Sequence, residues 1–365
     1  MIRKSCVFCL LFLCMISAAF AQIEFGGYYE NYLLGGAKRV GGAIYGDLNR
    51  LRLRIDSALS PNVSLHLEPE YDLLVKSEIF PLVGVSRVDQ LVWDRAFFKI
   101  SVPQADVTLG KQRIAWGTGY IWNPTDVFNP FTLSFAVEEE QEQEVEAVRV
   151  EAPLGALAGI DAFVLTGDEW LNLKKGIRTN TTIGLYDLAL SYVDLGKGAF
   201  QLGFDTSGEL LGLGVRGEIA MVAPAAADRY FNYVLGWGYT LENGWGMDME
   251  YYYNGRGEHN KEDYDWTGLL AGNINQLGRD YYYFGLHKML DEITGIRFSL
   301  LLNADDLSSI FYPSFSRNIS QNIDVGLDAL LQGGEDGSEY HPTLAQDPTG
   351  LMGSNIIFAR LKYSF

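Results

Sequence analysis

The chain has 365 residues, of which 28 are Lys or Arg and 46 are Asp or Glu, for a formal net charge of −18. That acidity argues against nucleic acid as a partner, because a polyanion draws basic surfaces. Hydrophobic residues make up 48% of the chain, yet after residue 21 no apolar run approaches the roughly 20 residues that a membrane-spanning helix needs.

The first 21 residues indicate the compartment. Arg3 and Lys4 precede an apolar run from Cys6 to Phe20, and Ala19-Phe20-Ala21 is an A-x-A cleavage site. This reads as a secretory signal peptide over 1–21, with 22–365 as the mature chain. Its removal takes away two positive charges and no negative one, moving the net charge from −18 to −20. Cys6, Cys9 and Cys14 all lie in this segment, so 22–365 can hold no disulfide, no thiol nucleophile and no Cys-ligated metal. A lipoprotein reading is weaker, because Cys14 follows Leu13 rather than a small residue. Export without cysteine points to a bacterial envelope protein.

The chain carries 21 Tyr, 20 Phe and 40 Gly, and its segments alternate with period two rather than with a helical period. In "DLNRLRLRIDS", Arg50, Arg52 and Arg54 oppose Leu51, Leu53 and Ile55. In "VSLHLEPEYDLL", His66, Glu68, Glu70 and Asp72 oppose Leu65, Leu67, Tyr71 and Leu73. A hairpin turn centred on Pro61 then sets Arg54 against Glu68, Arg52 against Glu70 and Arg50 against Asp72. Opposite charges directly across an antiparallel pair are favourable. Two readings stay open: a charged track that steers ions along a wall, or a neutralised ladder that props the wall.

The stretch "GKQRIAWGTGYIWNPTDVFNP", Gly110 to Pro130, cannot be a central strand or a helix. It belongs to a long connection, 111–142, that can fold inward and narrow an enclosed space. Its candidate lining residues are Lys111, Arg113, Trp116, Tyr120, Trp122 and Asp126. Aromatic rings there either stack on a sugar or aromatic solute or pack as a rigid lid. The acidic tract Glu138 to Glu146 that follows reads as a solvated face, or as a binder of divalent cations that bridge lipopolysaccharide.

Further alternation follows in "ELLGLGVRGEIAM", where Leu211, Leu213, Val215, Ile219 and Met221 share one face, and in "GMDMEYYYN", "ITGIRFSLLLN" and "NIDVGLDALLQ". In "FARLKYSF", Leu361, Tyr363 and Phe365 oppose Arg360 and Lys362, and a terminal aromatic on an alternating strand is the signal expected for the outer-membrane insertion machinery. About 16–18 strands are expected, with candidate starts near 23, 47, 63, 91, 106, 143, 157, 176, 187, 199, 209, 230, 245, 280, 293, 308, 321 and 354. Short connections ("SPN" at 60–62, "PQA" at 103–105, "ENG" at 242–244, "LDE" at 290–292) alternate with long ones. The pattern predicts an all-β fold: a closed antiparallel transmembrane β-barrel with short periplasmic turns and long extracellular loops, in the bacterial outer membrane against lipid and lipopolysaccharide. A soluble β-sandwich or a large periplasmic barrel would also alternate.

"RAFFKI" (Arg95 to Ile100) followed by "GKQRIAWGTGYIWNPTDVFNP" resembles the G-[RK]-Q-x-x-x-W-G segment, with its Asn-Pro loop, of large porin-like barrels of Gram-negative bacteria. These include barrels of unknown function and, more distantly, the alginate-export type. The resemblance covers residues 95–130 of 365. It implies a channel for small solutes and carries over no catalytic residue. A structural or adhesive barrel using loops 255–279 and 333–353 is the second reading. A lipid- or peptide-acting enzyme is the third, and none of His66, His259, His287 and His341 sits in a His-Ser-Asn grouping. No cofactor motif or metal-ligand spacing is present.

Overall fold

The protein is described here by a computed structural model covering residues 22–39, 41–76, 90–129, 131, 144–167 and 172–365. The expected signal peptide and most of the acidic tract lie outside the described residues. Eighteen strands form one sheet. They are β1 (Gln22–Ala37), β2 (Ala43–Ser60), β3 (Val63–Lys76), β4 (Gln90–Val102), β5 (Ala105–Arg113), β6 (Glu144–Pro153), β7 (Ala158–Leu165), β8 (Lys175–Ile183), β9 (Tyr186–Gly196), β10 (Ala199–Leu210), β11 (Leu213–Ala223), β12 (Tyr230–Thr240), β13 (Gly246–Asn254), β14 (Asp280–Asp291), β15 (Thr294–Asn303), β16 (Ser309–Ser320), β17 (Ile323–Gly333) and β18 (Asn355–Ser364).

Each strand pairs antiparallel with its sequence neighbours, and β18 returns to pair with β1 from Tyr28 opposite Ser364 to Ala37 opposite Asn355. Gly27 and Phe365 exchange both backbone hydrogen bonds at 3.0 Å to finish that seam. Closure removes every sheet edge, and only a closed sheet satisfies its backbone where no water is available.

The alternation read from the sequence sorts the two faces. Phe25, Leu33, Leu190, Leu235 and Ile357 are exposed on the outside, whereas Tyr32, Val234, Ile356 and Phe358 on the same strands are buried within. So broad an apolar exterior on a closed barrel is the surface of a membrane-spanning protein, since in water it would aggregate.

One end of the barrel carries tight turns, at 61–62, 103–104, 184–185, 211–212, 292–293 and 321–322. The other carries the long connections 114–143, 255–279 and 334–354. Loop 255–279 is ordered internally, with a 3-10 turn at Lys261–Asp263 and a short helix, α1 (Trp266–Leu270), whose Gly268 amide is capped by Asp265 at 2.8 Å.

Two strand starts are corrected. β2, expected from about 47, begins at Ala43. β11 was expected from about 209, but Leu211 and Gly212 form the turn, with φ of 54° and 80°. Leu211 therefore does not sit on the lipid face of a strand. The apolar alternation of "ELLGL" runs through the hairpin tip and hides it.

The interior is not uniformly polar. Near the loop end Tyr32, Leu48, Tyr252, Tyr281, Leu301, Ile310 and Phe358 of the wall form one buried cluster with Trp122, Tyr340 and Leu351 of the loops. A second, smaller cluster joins Ile114, Trp116 and Phe128 to Ala147, Phe163 and Val193. Apolar side chains thus point into the barrel as well as out of it, and the loops supply their partners.

Candidate functional site

The segment Ile114 to Asn129 leaves β5 and crosses the interior. Its backbone has no strand to pair with, so its amide donors need other acceptors. Two glutamates of the inner wall provide them. Glu218 of β11 accepts from the amides of Thr118 (2.5 Å), Gly119 (2.6 Å) and Thr125 (3.2 Å) and from the Thr125 hydroxyl (2.8 Å). Glu250 of β13 accepts from the amides of Tyr120 and Ile121, the latter at 2.8 Å. Both side chains are buried. Gln201 of β10 reaches the carbonyls of Pro124 and Thr125 at 3.2 and 3.1 Å.

The glycines of "WGTG" permit this approach. Gly117 has φ of 110°, and a Cβ there would lie 2.7 Å from a Glu218 oxygen. A Cβ on Gly119 would fall 1.8 Å from the Trp122 carbonyl oxygen. Asp126 organises the other half of the segment, accepting from the amides of Trp116 (3.1 Å), Phe128 (2.8 Å) and Asn129 (3.1 Å).

The rings are placed unequally. Trp122 is 1% exposed and stacks on Tyr252 at 5.2 Å, with its indole N–H donated to Gln276. Trp116 is 5% exposed, tilts against Phe163 and donates its indole N–H to Asp161 at 2.7 Å. Neither ring has a face left for a solute. Tyr120 is only half-buried; it stacks on Tyr283 and lies under the Arg216 guanidinium at 5.6 Å.

Lys111 and Arg113 lie on β5, just before this segment. Lys111 Nζ donates to the Trp93 carbonyl at 2.5 Å and lies 3.9 Å from Glu144, so it binds the neighbouring strands. Arg113 is exposed at the end of β5. On that strand it is Thr108 and Gln112 that are buried, and Gln112 bonds the Ala147 carbonyl at 3.1 Å.

On the turn side of the segment a cavity of about 680 Å³ opens against the wall, with Thr118, Arg216, Asp248 and His287 among its lining residues. Arg216 pairs with Asp248 at 3.1 Å and approaches Glu250 at 3.8 Å, and His287 Nδ1 is 3.5 Å from Asp248.

On the opposite wall the charges mostly match across the first hairpin. Arg50 grips Asp72 through two bonds of 2.8 and 2.9 Å, and Arg52 bonds Glu70. The third rung differs from expectation. Arg54 is exposed and pairs with Asp56 at 3.5 Å, while Glu68 accepts from His66 at 2.9 Å and lies 3.8 Å from Arg95. His66 is also bonded to Asp56 at 2.6 Å and stacked on Phe97, so both ring nitrogens are occupied.

Over the loop end, Glu339 ties three segments together. It accepts from the Leu277 amide (3.0 Å), the Tyr281 hydroxyl (2.6 Å) and Asn303 Nδ2 (2.7 Å). Burial pushes its carboxyl up to about 7, with Asp306 adding to the rise and those donors opposing it.

No family model matches the sequence, and no curated protein does. Solved structures share the fold. The chain is similar to a double variant of OccD1 (OprD), with TM-score 0.63 and 10% identity over 94% of this chain and 95% of that one. It is similar to OccK11 (OpdR) of Pseudomonas aeruginosa, with TM-score 0.60 and 9% identity over 94% and 95%. It is also similar to a mutant of the Rh. blastica porin, with TM-score 0.51 and 12% identity over 94% and 100%. At such identities the likeness is one of fold.

Proposed function

We propose that the protein is a channel of the bacterial outer membrane for small solutes, with the Ile114 to Asn129 segment as its constriction. The observation that carries this reading is a loop drawn across a closed, lipid-faced barrel and held there by two inner-wall glutamates. A purely structural barrel has no need of buried acceptors for a loop inside its lumen. In this reading Tyr120 and Arg216 border the passage, and Trp116, Trp122 and Asp126 hold the constriction in shape. Lys111 and Arg113 support the wall. The paired charges of β2 and β3 brace it rather than steer ions, because each buried guanidinium has its own carboxylate. The apolar exterior meets lipid and lipopolysaccharide, and β18 with Phe365 is the segment offered to the insertion machinery. The turns face the periplasm.

Reconstitution in a planar bilayer tests this. Steady, solute-modulated current is expected. A barrel that inserts but stays silent would refute the channel. A second reading, a sealed structural or adhesive barrel, draws on the buried aromatic cluster at the loop end and predicts that silence. The orientation is tested separately in whole cells: a cysteine at Glu262 should react with an impermeant maleimide and one at Glu242 should not, with no other thiol in 22–365.

A further inference from the structure

On the loop-end rim, away from the lumen segment, three chain segments converge on one point. His259 comes from the loop after β13, Asp280 is the first residue of β14, and Asp305 lies in the turn between β15 and β16. We propose that these three residues form a site for a divalent transition metal of the Zn²⁺ class, which fastens loop 255–279 to the β15–β16 turn.

The geometry is that of converging ligands. His259 Nδ1 lies 2.7 Å from Asp305 Oδ1 and 3.6 Å from Asp280 Oδ2. One ligand atom from each of the three residues lies within 4.8 Å of the others. Each carboxylate has one oxygen fixed and the other turned to the imidazole. Asp305 Oδ2 accepts the amides of Arg279 (2.5 Å) and Asp280 (2.8 Å). Asp280 Oδ1 accepts the Tyr251 hydroxyl at 2.5 Å. Such outer bonds are what orient ligating carboxylates.

The charge points the same way. A simple His–Asp hydrogen bond explains the 2.7 Å contact but not the second carboxylate. Among the described residues His259 is the ion-pair partner of both acids, and the nearby cations are engaged elsewhere. Arg279 donates to the Gly257 carbonyl at 2.9 Å and lies 3.8 Å from Glu258, while Lys261 pairs with Glu335 at 3.1 Å. Two carboxylates around one imidazole leave a negative excess that a dication neutralises. One nitrogen and two oxygens suit Zn²⁺ better than Mg²⁺ or Ca²⁺, which prefer all-oxygen shells. His259 is 57% exposed, which leaves a solvent side for water to complete the coordination.

Isothermal titration of Zn²⁺ into the full detergent-folded barrel tests the site, with Mg²⁺ and Ca²⁺ as comparisons. One saturable Zn²⁺ is expected, with affinity falling at least tenfold in His259→Ala and in Asp280→Asn and recovering in His259→Cys. His341→Ala, at the other loop histidine beside Asp336, should bind as wild type. Because Asp305 also holds loop backbone, the exposed His259 is the deciding position. No saturable binding, or unchanged affinity in His259→Ala, would overturn the site. Zn²⁺ should also slow tryptic cleavage after Arg256 and Lys261, and binding without that protection would overturn the fastening role.

Discussion

Glu218 and Glu250 divide one loop between them: the first takes the amides of Thr118, Gly119 and Thr125, the second those of Tyr120, Ile121 and Trp122. They stand on β11 and β13 with β12 between, where Val234 faces Glu218 and Gly236 faces Glu250. A carboxylate oxygen accepts hydrogen bonds, so a run of amides without strand partners is its natural complement.

Glu250→Ala should therefore loosen the segment without opening the wall. Three amides, those of Tyr120, Ile121 and Trp122, lose their carboxylate acceptor in a buried place, at a cost of about 3 kcal/mol or more. The barrel should still migrate as folded on an unheated gel, but with a lower thermal transition and a noisier current. Glu250→Gln should fall between the two, since one amide oxygen still accepts. A transition identical to wild type would show that Glu250 does not hold the loop.

The hairpin charges separate by burial. Arg50 is 2% exposed and doubly bonded to Asp72, so Arg50→Ala should cost about 3–5 kcal/mol by leaving Asp72 buried and unpaired. Arg54 is 61% exposed, and Arg54→Ala should shift stability by no more than about 0.5 kcal/mol. Equal losses in urea unfolding would contradict the placement of one or the other.

The lipid face can be probed on β11 and its turn. Ile219→Arg puts a charge on the exposed outer face of the strand and should cost roughly 2–4 kcal/mol near the bilayer midplane. Leu211→Arg, at the turn tip and 95% exposed, should be almost neutral. Folding yields into lipid vesicles would report the difference, and matching yields would put the strand phase in error.

The loops over the lumen should be sensitive to pH. The Glu339 carboxyl is raised from 4.5 to about 7, so the folded state binds the extra proton between those values. Its contribution to stability is fully present below 4.5 and is lost as the pH rises through about 7. Amide exchange at residues 276–278, corrected for intrinsic rate, should accelerate from pH 5 to pH 8 in the wild type and stay flat in Glu339→Gln. A wild-type profile as flat as that of the variant would remove Glu339 from the account.

Much of the barrel was legible because period-two alternation is a local signal. The start near 63 matches β3, and the last start near 354 falls one residue before β18. The turn at Leu211 was hidden because leucines continue the alternation across it. The apolar interior was unreadable for another reason. In "SLLLN" the central Leu301 faces inward, but its burial depends on loop residues such as Tyr340 that are remote in sequence. The same distance hid the glutamates: Glu218 and Glu250 lie 100 and 130 residues from the amides of Thr118 and Tyr120 that they hold. The ligands at 259, 280 and 305 likewise follow no spacing motif, since topology rather than periodicity brings them together.

The pairing of β1 with β18 has a kinetic meaning. Every other contact between adjacent strands can form as soon as two neighbours in sequence exist, but this seam must wait for the last strand. Until then the sheet has two raw borders, at β1 and at the latest strand made, each with unpaired amides and carbonyls that invite pairing with another chain. Assembly is thus committed late, by a single contact of very long sequence separation, which makes closure of the seam the slow step of folding.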